Sequence, residues 1–182
     1  MLLKLLDTII GLYVMVLLLR VWMQWARCDF YNPFSQSVVR LTQPLVKPLR
    51  RILPPLGPID TASLLLALVI CILKFPLLLS LQEHVLFFDK IFLLAGALSL
   101  LKTAGTLVFW IVIVRSLMSW VSQGRSPVDY VLMQLTEPLM EPIRRILPAM
   151  GGIDFSGMIV ILILYMLNYL GMNLFPLIWF QI

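Results

Sequence analysis

With 182 residues, 61% hydrophobic and only 13% charged, and a net charge of +5, the chain lies far outside soluble-domain usage, where about 25% of residues are charged. That balance excludes a water-soluble globular domain, and the basic excess is better read as cations placed around membrane spans than as a nucleic-acid surface. Two cysteines and one histidine offer no metal-ligand spacing, no redox pair and no two axial imidazoles for a haem.

The first predicted span covers residues 5–26 and is apolar but for Asp7 and Arg20. Lys4 ahead of it gives the look of a secretory signal, yet no small-x-small site follows and Arg20 interrupts, so the span is expected to be retained. Asn32-Pro33 reads as a helix start, a capping side chain followed by proline at the first helical position. From residue 33 to 54, Phe34, Val38, Leu41, Leu45, Leu49 and Ile52 recur at three- and four-residue steps, opposite Arg40, Lys47 and Arg51. Such a pattern predicts an amphipathic interfacial helix. Pro44 and Pro48 each remove a backbone donor and are expected to kink or break it near residues 42–44, and Gly57 to end it. Asp60 should then cap the second span, 64–81, which carries Lys74.

A linker, 82–95, follows with Glu83, His84, Asp89 and Lys90. The apolar stretch 91–120 would measure about 45 Å as a helix, longer than the roughly 30 Å hydrocarbon core, so its membrane part is placed near 100–120. Ser126-Pro127 starts a second proline-bearing segment, 127–148, with Pro138 and Pro142 as its kinks and Gly151 as its closing turn. Residues 158–180 contain no Asp, Glu, Lys, Arg or His and form the fourth predicted span. The fold class expected is an all-α membrane protein with four transmembrane helices.

An internal duplication organises these elements. "LTQPLVKPLRRILPPLGPID" at 41–60 returns as "LTEPLMEPIRRILPAMGGID" at 135–154, with thirteen of twenty positions identical. Upstream, Arg20 and Trp25 correspond to Arg115 and Trp120. The halves, 1–81 and 96–182, each read as span, loop, proline-bearing segment, span. Two crossings per half give both the same orientation, a parallel repeat. Arg27, Arg40, Lys47, Arg50, Arg51, Arg125, Arg144 and Arg145 lie on the two connecting segments, eight of the fourteen basic residues. The positive-inside bias then predicts that both segments face the cytoplasm and both termini the periplasm.

Arg20 would sit about 9 Å inside a straight helix, where an arginine costs at least about 2.5 kcal/mol at the bilayer centre and less near the interface. Pairs Arg20–Asp60 and Arg115–Asp154 are expected to offset that cost, with snorkelling to lipid phosphate as the competing outcome. Arg50, Arg51, Arg144 and Arg145, together with Arg40 and Lys47, are candidates for binding lipid headgroups or a partner, against ordinary topological anchoring. Gln43 becomes Glu137 and Lys47 becomes Glu141 between the copies, so an attraction between the two segments is expected. Lys74 and Lys102 are expected to reach water near the opposite membrane face, and Asn168 and Asn173 to make contacts between helices. No catalytic, cofactor or metal site emerges: Gly-x-Ser-x-Gly, His-Glu-x-x-His and phosphate-binding glycine loops do not occur.

The duplicated Pro-x-x-x-Pro-x-Arg-Arg-x-Leu-Pro core, each copy preceded by a tryptophan-ended span ("RVWMQW", "RSLMSW"), resembles the two repeats of the YggT family of bacterial integral membrane proteins. The likeness covers nearly the whole chain; the second copy departs from it only in replacing two prolines, at Ala149 and Gly152. It implies the bacterial inner membrane and relatives associated with osmotic tolerance, division or nucleoid distribution, and maturation of a b-type cytochrome. Those associations imply an accessory or assembly protein, not a shared chemistry. The expectation is a non-enzymatic scaffold without cofactor, whose partners are the phospholipid bilayer, other membrane proteins and further copies of itself. The alternative is a small oligomeric transporter or ion pathway.

Overall fold

The structure, a computed structural model, describes residues 1–148 and 155–182. Its helices are α1 (Leu2–Trp25), α2 (Pro33–Ile52), α3 (Thr61–Glu83), α4 (Ile91–Val121), α5 (Pro127–Ile146), α6 (Ser156–Leu174) and the single-turn α7 (Pro176–Trp179). Four of them, α1, α3, α4 and α6, are long and apolar enough to cross a bilayer, and the chain is an all-α membrane protein. Because these helices are apolar all round, each buries only a minor part of its surface against the others and leaves the rest for lipid.

Packing centres on α1 and α4. Helix α1 lies against α3, α2 and α4, while α4 touches both halves through α1, α3, α5 and α6. The main core joins Val14, Leu17 and Met23 of α1 to Ala62, Ala67 and Cys71 of α3, and reaches Leu107 of α4 and Val131 and Leu135 of α5. A smaller cluster of Val112, Met140 and Val160 holds α4, α5 and α6 together. Gly96 lets α4 approach α3 closely: a Cβ there would meet the Ile72 backbone at 2.8 Å.

The proline-bearing helices keep the duplication to the residue, since α5 begins and ends 94 positions after α2. Asn32 and Ser126 cap them, accepting from the backbone N–H of Phe34 and Val128, and proline follows at the first position, where no N–H is missed. Of the kink or break expected near residues 42–44, a break does not occur: α2 runs unbroken through Pro44 and Pro48, as α5 does through Pro138 and Pro142. Other groups support the disturbed turn: the Thr42 hydroxyl donates to the Val38 carbonyl at 2.9 Å, and the Tyr13 hydroxyl of α1 donates to the Leu41 carbonyl at 3.2 Å. Thr136 repeats the first of these on Leu132 at 2.8 Å.

The protein-facing side of α2 overlaps the predicted stripe only in part, at Val38 and the half-buried Phe34 and Leu49. Ser35, Val38, Thr42 and Val46 are buried, whereas Leu41, Leu45 and Ile52 are exposed. Thr42 can occupy the protein-facing side because its hydroxyl is satisfied on its own helix, which turns the leucines outward. Two helix ends also fall away from the expected element limits. Helix α4 starts at Ile91, inside the expected linker, and runs 31 residues. The last span ends at Leu174 instead of residue 180, since Pro176 forces Phe175 out of helical conformation (φ −131°, ψ 61°).

Candidate functional site

The polar residues gather where the last turns of α1 meet α2 and the start of α3. Arg20 is 4% exposed and Asp60 is fully buried, and their side chains meet at 3.2 Å, Nε to Oδ2. Arg20 Nη1 donates further to Thr42 Oγ1 at 2.8 Å and Gln43 Oε1 at 3.0 Å. Asp60 doubles as the N-cap of α3: its oxygens accept from the Ser63 backbone N–H at 3.4 Å and the Ser63 hydroxyl at 2.9 Å. Arg50 Nη2 approaches the same carboxylate at 3.4 Å and donates to Gln24 Oε1 at 2.9 Å. One carboxylate therefore serves two guanidinium groups, a helix cap and a hydroxyl, the dense satisfaction that a charge removed from water requires.

A cavity of about 620 Å³ opens beside this cluster, with Arg20, Arg40 and Arg50 in its wall. Arg40 also borders a second cavity of about 480 Å³, shared with Lys47 and Arg51. The first-half cations singled out from sequence thus come together on one surface. In the second half Arg115 Nη1 donates to Met140 Sδ at 3.2 Å, Arg144 pairs with Glu137 at 2.8 Å, and Arg145 pairs with Glu141 at 2.8 Å. Asp154, the expected partner of Arg115, and Gly151 lie outside the described residues. The expected Lys47–Glu141 attraction is replaced by the Glu141–Arg145 pair, because a partner one turn away on the same helix is held in reach by the backbone. The two proline-bearing helices instead meet near their N-terminal ends, where Gln134 Oε1 accepts from the Asp29 backbone N–H at 3.1 Å and Asn32 Nδ2 donates to the Pro127 carbonyl at 2.9 Å.

At the other end of the bundle, Lys74 and Lys102 hold protein partners instead of reaching out to water. Lys74 pairs with Asp7 at 3.3 Å and donates to Ser99 at 3.3 Å. Lys102 donates to the carbonyls of Trp179 at 2.9 Å and Ile182 at 3.1 Å. Asn168 accepts from the Trp179 indole N–H at 2.9 Å, and a Cβ at Gly171 would meet that indole ring at 2.6 Å. Cys28, buried just past α1, is a free thiol, and burial pushes its pKa up to about 11. No cluster of three His, Cys, Asp or Glu side chains that could hold a metal occurs among the described residues.

Thr42, Gln43, Gln24 and Ser63 complete the site although hydrophobic patterning does not single them out. The available signals were the change of Gln43 to Glu137 between the copies and Thr42 itself, a polar residue kept as Thr136 in the second copy.

The sequence profile of the family described as CCB3/YggT matches residues 1–81 and 94–175, one match per half. "Uncharacterized protein YggT" of Escherichia coli (strain K12) is 60% identical over 164 residues, 90% of this chain and 85% of that protein. A Vibrio alginolyticus protein, "Uncharacterized protein in proC 3'region", is 50% identical over 98% of this chain and 97% of its own length. A Haemophilus influenzae "Uncharacterized protein" is 42% identical over 95% and 92%. No solved structure matches the chain. With both halves matched and relatives aligned over nearly their full length, the chain belongs to the CCB3/YggT family.

Proposed function

We propose that this protein is a bacterial inner-membrane scaffold that assists the assembly or organisation of other membrane components without catalysing a reaction. The observation that carries the reading is the joined pair α2 and α5: hydrogen bonds at Asp29, Gln134, Asn32 and Pro127 tie the halves, while Leu41, Leu45, Ile52 and Ile146 are left exposed. An amphipathic helix held at the ends of spans presents apolar side chains and cations together, the combination that seats on lipid and on neighbouring helices. Eight of fourteen cations on the connecting segments favour a cytoplasmic position for this pair, with periplasmic termini.

A photo-crosslinker at Leu45 in native membranes tests the proposal. Defined protein adducts, identified by mass spectrometry, are expected; capture of lipid alone would defeat the scaffold reading.

A second reading, a small oligomeric transporter or ion pathway linked to osmotic tolerance, is favoured by a separate cavity of about 620 Å³ between α4 and α6 with Lys102, Thr106 and Asn168 in its wall. Liposomes that pass no potassium, proton or small osmolyte under any gradient would remove it.

A further inference from the structure

We propose that the cavity beside Arg20, Arg40 and Arg50 is a binding site for a phosphate-type oxyanion, present in the first half of the molecule and already occupied by an internal carboxylate in the second. Six of its eight lining residues carry hydrogen-bond donors, and Phe30 and Val39 supply the apolar remainder. Three guanidinium groups face it together with Gln24, Gln36 and Gln43. Gln43 and Gln24 each give their carbonyl oxygen to an arginine, at 3.0 and 2.9 Å, and that network leaves their NH₂ groups to donate elsewhere.

Charge points the same way. Among the described residues Asp60 is the one carboxylate that pairs with any of these cations, and its oxygens are engaged by Arg20, Arg50 and Ser63. Arg40, which is exposed, makes no ion pair or hydrogen bond among the described residues, whereas Arg50 Nε is buried without a hydrogen-bond partner. Buried donors without acceptors are uncommon in folded chains, and arginine forks match the geometry of phosphate oxygens.

The duplication supplies an internal control. At the position of Gln43 the second half carries Glu137, which pairs at 2.8 Å with Arg144, the counterpart of Arg50. At the position of Arg40 it carries Gln134, which turns to the Asp29 backbone instead. The same helical frame therefore exists in two electrostatic states: one self-neutralised, one short of negative charge. The missing charge in the first half is the ligand. A lipid headgroup and a soluble phosphate share the required chemistry.

The inference deepens the lipid-facing part of the scaffold reading, yet a protein adduct at Leu45 neither requires nor reports anion binding, so the two fail separately. The test uses the purified full chain in nanodiscs. Inorganic phosphate is titrated in phosphatidylcholine discs, and retention of phosphatidylglycerol is measured by native mass spectrometry from discs that contain it. One anion per chain is expected. Saturable phosphate binding identifies a soluble ligand as competent, whereas phosphatidylglycerol retention without phosphate binding identifies the headgroup as the source.

Gln43→Glu and Arg40→Gln, each importing the residue of the second half, should weaken binding about tenfold or more, the scale of one charge-assisted hydrogen bond. Arg27→Gln, an equal loss of charge at a residue outside the cavity lining, should change it less than about twofold. Binding of neither probe to the wild-type protein, unaltered affinity in both cavity variants, or an equal loss in Arg27→Gln would overturn the assignment. Arg40→Gln keeps the test decisive if Gln43→Glu does not fold.

Discussion

Removing the Asp60 carboxylate perturbs more of the molecule than any other single change at the site. Asp60→Ala leaves Arg20, 4% exposed, with only Thr42 and Gln43 as acceptors, leaves Arg50 with Gln24, and removes the cap of α3. Breaking a buried pair by deleting one partner costs about 3–5 kcal/mol, and losing the cap adds about 1 kcal/mol. Asp60→Asn keeps a cap and an acceptor oxygen but no charge, so the expected cost falls to about 2 kcal/mol. Arg20→Met combined with Asp60→Asn removes the buried Arg20 guanidinium and leaves the half-exposed Arg50 with Gln24, and the double variant should be more stable than Asp60→Ala. Reversible unfolding in mixed micelles, followed by the fluorescence of the five tryptophans, measures each variant. A cycle built from Arg20→Met and Asp60→Asn should give a coupling of about 2 kcal/mol. A cost below about 1 kcal/mol for Asp60→Ala, or strictly additive single changes, would show that Arg20 finds its counter-charge in lipid phosphate and would refute the assignment of a protein-internal pair.

Gly96→Val should separate α3 from α4, because even a single added carbon lies 2.8 Å from the Ile72 backbone; lowered thermal stability by about 1–3 kcal/mol is the expected outcome, and an unchanged melting curve would contradict the close approach. Lys102→Met should release the C-terminal turn, seen as faster proteolysis after Leu174, since both carbonyls held by Lys102 lose their donor. Cys28 should resist maleimide at pH 8, where a thiol of pKa about 11 is about one part in a thousand thiolate. The folded pKa exceeds the unfolded value, so this thiol contributes stability below about pH 8.5 that is lost as pH rises toward 11; alkylation that accelerates only above pH 10 or on unfolding is the check.

Hydrophobic runs and the duplication were sufficient to expect the crossing helices, because a bilayer imposes a length and an apolarity that can be counted. Depth along α1 likewise points Arg20 toward Asp60 from the sequence alone. The orientation of α2 was harder to read: its leucines form an apolar stripe, but so does the true inner face once Thr42 bonds its own backbone, and in a membrane either stripe can face outward. Proline looked like a helix breaker at residues 44 and 48 because propensity is a local quantity, while Tyr13, distant in sequence, donates to the disturbed turn. Lys74 illustrates the same limit. Its pairing with Asp7 depends on which helix is its neighbour, and span-by-span counting carries no such information.

Tying two copies of one frame into a single polypeptide has a consequence for their evolution. Were α1–α3 a separate subunit that paired with itself, every substitution would appear twice, so a change such as Gln43 to Glu would neutralise both seats or neither. Covalent tandem arrangement frees each copy to diverge under its own selection, so one can keep an appetite for an outside anion while its twin satisfies itself and serves as ballast.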